Sequence, residues 1–224
     1  MIDMFGKGPS WKIWLLFMLI GGLLGGAVSL AIPARYRARA TVTVDFNIEK
    51  TWQGNPDNEI FYFLDREARK LEELAWDDAT LDTVSQETGV DISTLRNGTL
   101  ELSQPKDGGW HFYAYSSDPQ QAIALASSWA KSFTEQTQSA IMDSINLDAA
   151  RAGLAQNPTD ATLTAKIAGL EKRMKGIQPG IEISTSQVNG LNAEKIGNPA
   201  WYMLSGAVLG LLVAFFLQFS SKPE

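Results

Sequence analysis

The chain has 224 residues and a mass of 24.5 kDa, with 19 Lys and Arg against 25 Asp and Glu, one His and no Cys. It therefore has no thiol nucleophile and no thiolate zinc site, and its net charge of −6 has the wrong sign for the basic stripe of a nucleic-acid surface. The charge is also segregated: Ile13–Ile32 and Ala200–Phe219 carry none, whereas Pro33–Pro199 hold 16 Lys and Arg and 23 Asp and Glu.

Each uncharged run has 20 residues, and a helix of that length spans roughly 30 Å, the hydrocarbon thickness of a bilayer. Lys7 and Lys12 before the first run, with Ser29-Leu30-Ala31 at its end, also fit a cleavable signal peptide. The run is longer than an ordinary signal core, however, and Pro33, Arg35, Arg37 and Arg39 follow at once, so a retained membrane helix over 13–33 is expected. A second is expected over 200–219, introduced by Pro199, with Trp201 and Tyr202 as interfacial anchors. Two spans place the tails 1–12 and 220–224 on one side, read as cytoplasmic. The acidic segment 34–199 lies on the other, since long loops translocate largely regardless of charge. This gives a two-pass membrane protein with an extracytoplasmic central domain.

The first polar segment alternates. Tyr36, Ala38, Ala40, Val42, Val44, Phe46 and Ile48 are apolar and the residues between them polar, which predicts a half-buried strand through Ile48. Residues 52–57 read as a loop. Ile60, Phe61, Leu64, Ala68, Leu71 and Ala75 recur at three- and four-residue spacing, the apolar stripe of a helix. A second helix starts at Asp78 as N-cap, turns Leu81 and Val84 inward and stops at Gly89. One more turn is expected over 91–96. Leu100 and Leu102, a turn over 105–109, and Trp110, Phe112 and Ala114 read as a hairpin.

Asp118-Pro119 then signals an N-cap followed by proline at the first helical position. The helix runs to about Ala155, and Asn157-Pro158 ends it. Thr159 or Asp160 restarts a helix to about Lys175, and Ile181 and Ile183 suggest a final strand. The fold class is α+β: two transmembrane helices flank an extracytoplasmic domain that has a small membrane-proximal sheet and a helical rod over about 118–176. A rod that long cannot bury its apolar positions against so small a base. It needs a return helix or neighbouring copies, so a homo-oligomer is expected.

Catalytic readings fail on inventory. His111 falls on the polar face of a strand, no glycine-rich phosphate loop occurs, and Ser128-Trp-Ala-Lys131 matches a Ser-x-x-Lys motif in mid-helix without its partner motifs. Asp65, Glu67, Glu72, Glu73, Asp77 and Asp78 read as a solvated helix face rather than a cation site. Trp52, Trp110, Tyr113 and Tyr115 either stack on sugar rings or pack in the hairpin or at a subunit seam, and packing is preferred. No catalytic, cofactor or metal residue is assigned. The glycines of the apolar runs are more informative. Gly21 with Gly25, Gly22 with Gly26, and Gly206 with Gly210 form Gly-x-x-x-Gly pairs, flat stripes that let helix backbones approach closely. Packing within a chain and packing between chains both remain open.

The assembled order resembles the polysaccharide co-polymerases, or Wzz-type chain-length determinants. Tyr36-Arg-Ala-Arg-Ala-Thr-Val-Thr-Val44 directly after the first apolar helix is similar to the family's first strand. Leu81–Gly89 is similar to its helix before the central hairpin, and Asp118-Pro-Gln-Gln-Ala122 to its long-helix start. Pro199 stands where the family enters its second membrane helix. The resemblance implies a non-enzymatic, ring-forming scaffold in the inner membrane. It would act with an integral-membrane polysaccharide polymerase, and with the growing glycan as a further candidate partner, to set the length of a surface polysaccharide such as O-antigen, capsule or exopolysaccharide. The alternative is a membrane-anchored structural or adaptor protein of the same fold with no role in polymer length.

Overall fold

The computed structural model describes residues 11–51, 59–103 and 109–220. The loop expected over 52–57, with Trp52, and most of the turn expected over 105–109 lie outside the described residues. The chain divides into two compact units, one made of the residues up to Arg35 with those from Lys195 onward, the other of Tyr36–Glu194.

The first unit is a pair of apolar helices, α1 (Trp11–Ala31) and α8 (Pro199–Ser220). Both are long and apolar enough to cross a membrane. Each begins slightly earlier than the charge-free run that marks it. At α8, Asn198 caps the helix, its Oδ1 accepting from the Ala200 N–H at 2.9 Å. Pro199 fits the first helical position, where no backbone N–H is required.

The second unit is a helix-covered antiparallel sheet. Strand β1 (Arg35–Asp45) is central, with β3 (Gly109–Ser116) on one side and β4 (Glu182–Gln187) on the other. β2 (Leu100–Ser103) extends the sheet beyond β3, and β5 (Ala193–Ile196) also pairs with β1. The single final strand expected around Ile181 and Ile183 is therefore two strands. The alternation of β1 ends earlier than Ile48. The Asn47 N–H donates to Asp45 Oδ1 at 2.8 Å, and Asn47 takes a left-handed φ of 46°. That turn breaks the strand, and Ile48 opens a four-residue helix, α2 (Ile48–Thr51).

Helix α3 (Ile60–Ala75) buries Leu71 and Ala75 of the expected stripe and packs Ala68 against the core, but departs from it at Phe61. Phe63, Leu71, Leu74 and Ala75 are buried, whereas Phe61 is 79% exposed. In the run Ile60-Phe-Tyr-Phe-Leu64 several registers are apolar enough, and the partner surface selects one. That register also buries Glu67, whose Oε1 accepts from Lys70 Nζ at 2.7 Å. Lys70 donates again to the Gly176 carbonyl at 2.8 Å, tying α3 to the segment before β4.

Helix α4 (Asp78–Thr88) is preceded by Asp77 as N-cap, not Asp78. Asp78 instead sits in the first turn and pairs with Arg96 at 2.8 Å. Leu81 and Val84 are buried, and Gly89 ends the helix at φ 72°. The turn α5 (Ile92–Thr94) is capped by Asp91. Hydrogen bonds from the Ser93 and Thr94 side chains, with the Thr94 N–H, hold the Asp91 carboxyl down at about 2.

Helix α6 (Pro119–Gln156) has 38 residues, a rod of roughly 57 Å. Asp118 Oδ1 accepts from the Gln120 N–H at 2.9 Å and sets its start. Its first half buries Ala122, Leu125, Ala126, Trp129, Ala130 and Phe133 in the core that includes Ala38, Ala40, Val42, Phe112 and Ala114 of the sheet. Small residues along β1 and β3 leave space for the rings. Phe112 meets Trp129 edge-on at 4.9 Å, and the Trp129 indole donates to the Ala75 carbonyl at 2.8 Å. The second half of α6 is covered on one side by α7 (Ala161–Arg173), the return helix, through a separate cluster of Leu147, Ala150 and Leu170. Arg151–Glu171 at 2.7 Å and Arg173–Asp143 at 3.0 Å pin the two together.

Candidate functional site: a glycine seam and a basic cleft

Within the apolar pair, four of the six glycines form one seam. A Cβ on Gly21 would overlap the Gly206 carbonyl and stand 3.1 Å from Gly210 Cα. One on Gly25 would overlap the Tyr202 carbonyl and stand 3.3 Å from Gly206 Cα. Gly206 and Gly210 meet Gly21 and the Phe17 carbonyl in the same way. Only residues without a side chain allow backbones to approach this closely. Gly22 and Gly26 are different: a Cβ at Gly22 would lie 3.6 Å from the Met203 carbonyl oxygen, and one at Gly26 would lie 3.4 Å from Met203 Cγ. These are looser contacts beside the seam. The seam joins α1 and α8 of one chain, and Trp14 packs edge-on against Phe215 at 6.2 Å within the same pair.

In the second unit the polar face of the sheet comes from strand alternation. Residues two apart on a strand share a face, so Arg37, Arg39 and Thr41 of β1 stand opposite Tyr115, Tyr113 and His111 of β3. Glu101 of β2 is opposite Tyr113. The Arg37 guanidinium lies 5.2 Å over the Tyr113 ring and 3.4 Å from Glu194 Oε2. The Tyr115 hydroxyl donates to Glu101. Partial burial of Tyr115, and then that hydrogen bond and the charge of Glu101, raise the phenol above its ordinary value. Arg37, Arg39, Tyr113, Asn189, Asn192 and Glu194 line a cleft of about 380 Å³, with Gly190 and Leu191 completing its wall.

His111 and Ser128 each have a hydrogen-bond partner. His111 Nδ1 is 3.1 Å from Thr41 Oγ1. Ser128 donates to Glu87 at 2.6 Å, whereas Lys131 faces Glu135 at 3.9 Å, so the Ser-x-x-Lys pair is divided between different partners. Trp110 is buried against Phe133. Of the acidic residues along and between α3 and α4, Asp65 pairs with Arg69, Glu67 with Lys70, Asp77 with Lys175 and Asp78 with Arg96. Among the described residues no three His, Asp or Glu side chains converge as a metal site.

The cleft was not recognisable as such from the sequence. In sequence Arg37 and Arg39 are polar positions of an alternating strand after an apolar run, and no motif marks Asn189–Asn192 as the far wall. The available signal was the strict two-residue spacing of Arg and Tyr on strands destined to pair. No protein-family model matches the chain, and no curated protein matches it in sequence.

Proposed function

We propose that the chain is a two-pass inner-membrane protein that regulates the length of a surface polysaccharide without being an enzyme, working as an oligomeric scaffold beside an integral-membrane polymerase. The observation that carries this reading is the order of parts. An apolar helix leads directly into an alternating strand, an Asp-Pro start opens a 38-residue helix with its return helix, and an Asn-Pro start opens a second bilayer-length helix. The segments read as resembling chain-length determinants, Tyr36–Val44, Leu81–Gly89, Asp118–Ala122 and Pro199, fall on β1, α4 and the starts of α6 and α8. The residues up to 12 and from 220 would then be cytoplasmic and 34–199 extracytoplasmic.

The test is deletion of the gene in its native host, with the surface polysaccharide sized on a gel. Loss of a clustered length distribution, restored by complementation, is the expected result. An unchanged ladder would refute the length-control reading and leave the adaptor alternative.

A further inference from the structure

We propose that the cleft on the polar face of the sheet binds a carboxylate-bearing saccharide, a segment of an acidic glycan. This rests on the reading above for the presence of a glycan and goes beyond it in assigning a site and a sugar class.

The lining is unusual in its balance of donors and acceptors. Arg37 and Arg39 are donors only, Glu194 is an acceptor only, and Asn189 and Asn192 present one acceptor and two donors each. Leu191 is the single aliphatic side chain in the wall, which disfavours an apolar ligand. Planar amide, carboxylate and guanidinium groups can each engage two neighbouring hydroxyls, and a saccharide supplies hydroxyls in that spacing. The volume of about 380 Å³ falls within the range of small-molecule sites, about 300–1,000 Å³.

The charges narrow the class. Arg37 is already held, by the Tyr113 ring beneath it and by Glu194. Arg39 is exposed and has no ion pair or hydrogen bond among the described residues. Its rigid fork matches a carboxylate bidentately. Glu194 opposes a bare polyanion such as phosphate, leaving a single net positive charge from the two arginines and one carboxylate. A sugar ring with one carboxylate fits that balance. Because Arg37 covers the face of Tyr113, recognition is by hydrogen bonding and ion pairing rather than by stacking on that ring. The loop Asn189–Asn192 turns at Gly190, whose φ of 69° favours glycine.

The experiment uses the full chain in mild detergent and measures binding by calorimetry and saturation-transfer NMR. The probes are tetrasaccharides containing glucuronate or galacturonate, the same tetrasaccharides with carboxyls reduced to alcohols, and inorganic phosphate. The expected result is binding of at least one acidic tetrasaccharide, weakened at least about tenfold by carboxyl reduction and by Arg39→Ala. Asn192→Ala should also weaken it, Arg39→Lys should retain part of it, and melting temperatures should be unchanged. No binding of either acidic tetrasaccharide, binding unaffected by Arg39→Ala, or equal displacement by phosphate or by vesicles of anionic phospholipid would each overturn the proposal. The two readings separate cleanly. Deletion that abolishes length control while Arg39→Ala binds acidic sugar normally removes the cleft alone. Arg39-dependent binding with an unchanged ladder removes length control alone.

Discussion

Adjacent glycines in α1 should respond oppositely to the same substitution. Gly21→Ala places a Cβ against the Gly206 carbonyl and 3.1 Å from Gly210 Cα. Both obstacles are backbone, so no rotamer change relieves the clash and the helices must separate. Overpacking of this kind costs about 1–3 kcal/mol. Gly22→Ala places its Cβ 3.6 Å from the Met203 oxygen and 3.8 Å from Ala207 Cβ, which is ordinary contact. Each substitution also gains about 1 kcal/mol of helix propensity, and that gain cancels when the two variants are compared. The difference between them should therefore be about 1–3 kcal/mol, with Gly22→Ala neutral or stabilising. The assay is unfolding of the full chain from mild detergent by a denaturing detergent, followed by helical circular dichroism. Gly25→Ala and Gly26→Ala serve as a second pair, because Gly26 meets only the flexible Met203 side chain at 3.4 Å. Equal tolerance of Gly21→Ala and Gly22→Ala, or the reverse order, would refute the seam.

Asp118→Ala should destabilise the polar unit by about 1 kcal/mol through loss of the cap on the Gln120 N–H, read as a small fall in melting temperature; no shift would mean that the cap does not set the start of α6. The Tyr115 phenol should ionise above its ordinary value in an absorbance titration, a transition that Tyr115→Phe removes, because burial and Glu101 raise it. A raised value in the folded state favours the neutral form. The associated stability is therefore complete below about pH 10 and lost as pH rises through the folded value. Glu101→Gln should bring the late transition earlier, and an unchanged titration would show that Glu101 has no part in it.

Local chemistry determined a large part of this protein. The two uncharged runs, the alternation from Tyr36 to Val44 and the Asp118-Pro119 and Gly89 signals each depend on residues close in sequence, so each element could be located before any partner surface was known. The Gly-x-x-x-Gly spacing likewise marked two flat helix faces. Tertiary structure alone decided which glycines are indispensable, because Gly21 and Gly22 differ only in whether Gly206 or Met203 stands opposite. It also decided that Phe63 rather than Phe61 enters the core and that Glu67 is buried with Lys70 beneath it. An aromatic run offers several nearly equivalent registers, and only the opposing surface separates them. The cleft belongs to the same category. Arg39 and Tyr113 are 74 positions apart and become neighbours only through the antiparallel register of β1 and β3. Asn189 and Glu194 reach them from the far end of the domain. Sequence spacing specifies which face of a strand a side chain occupies, but pairing between distant strands specifies what it faces.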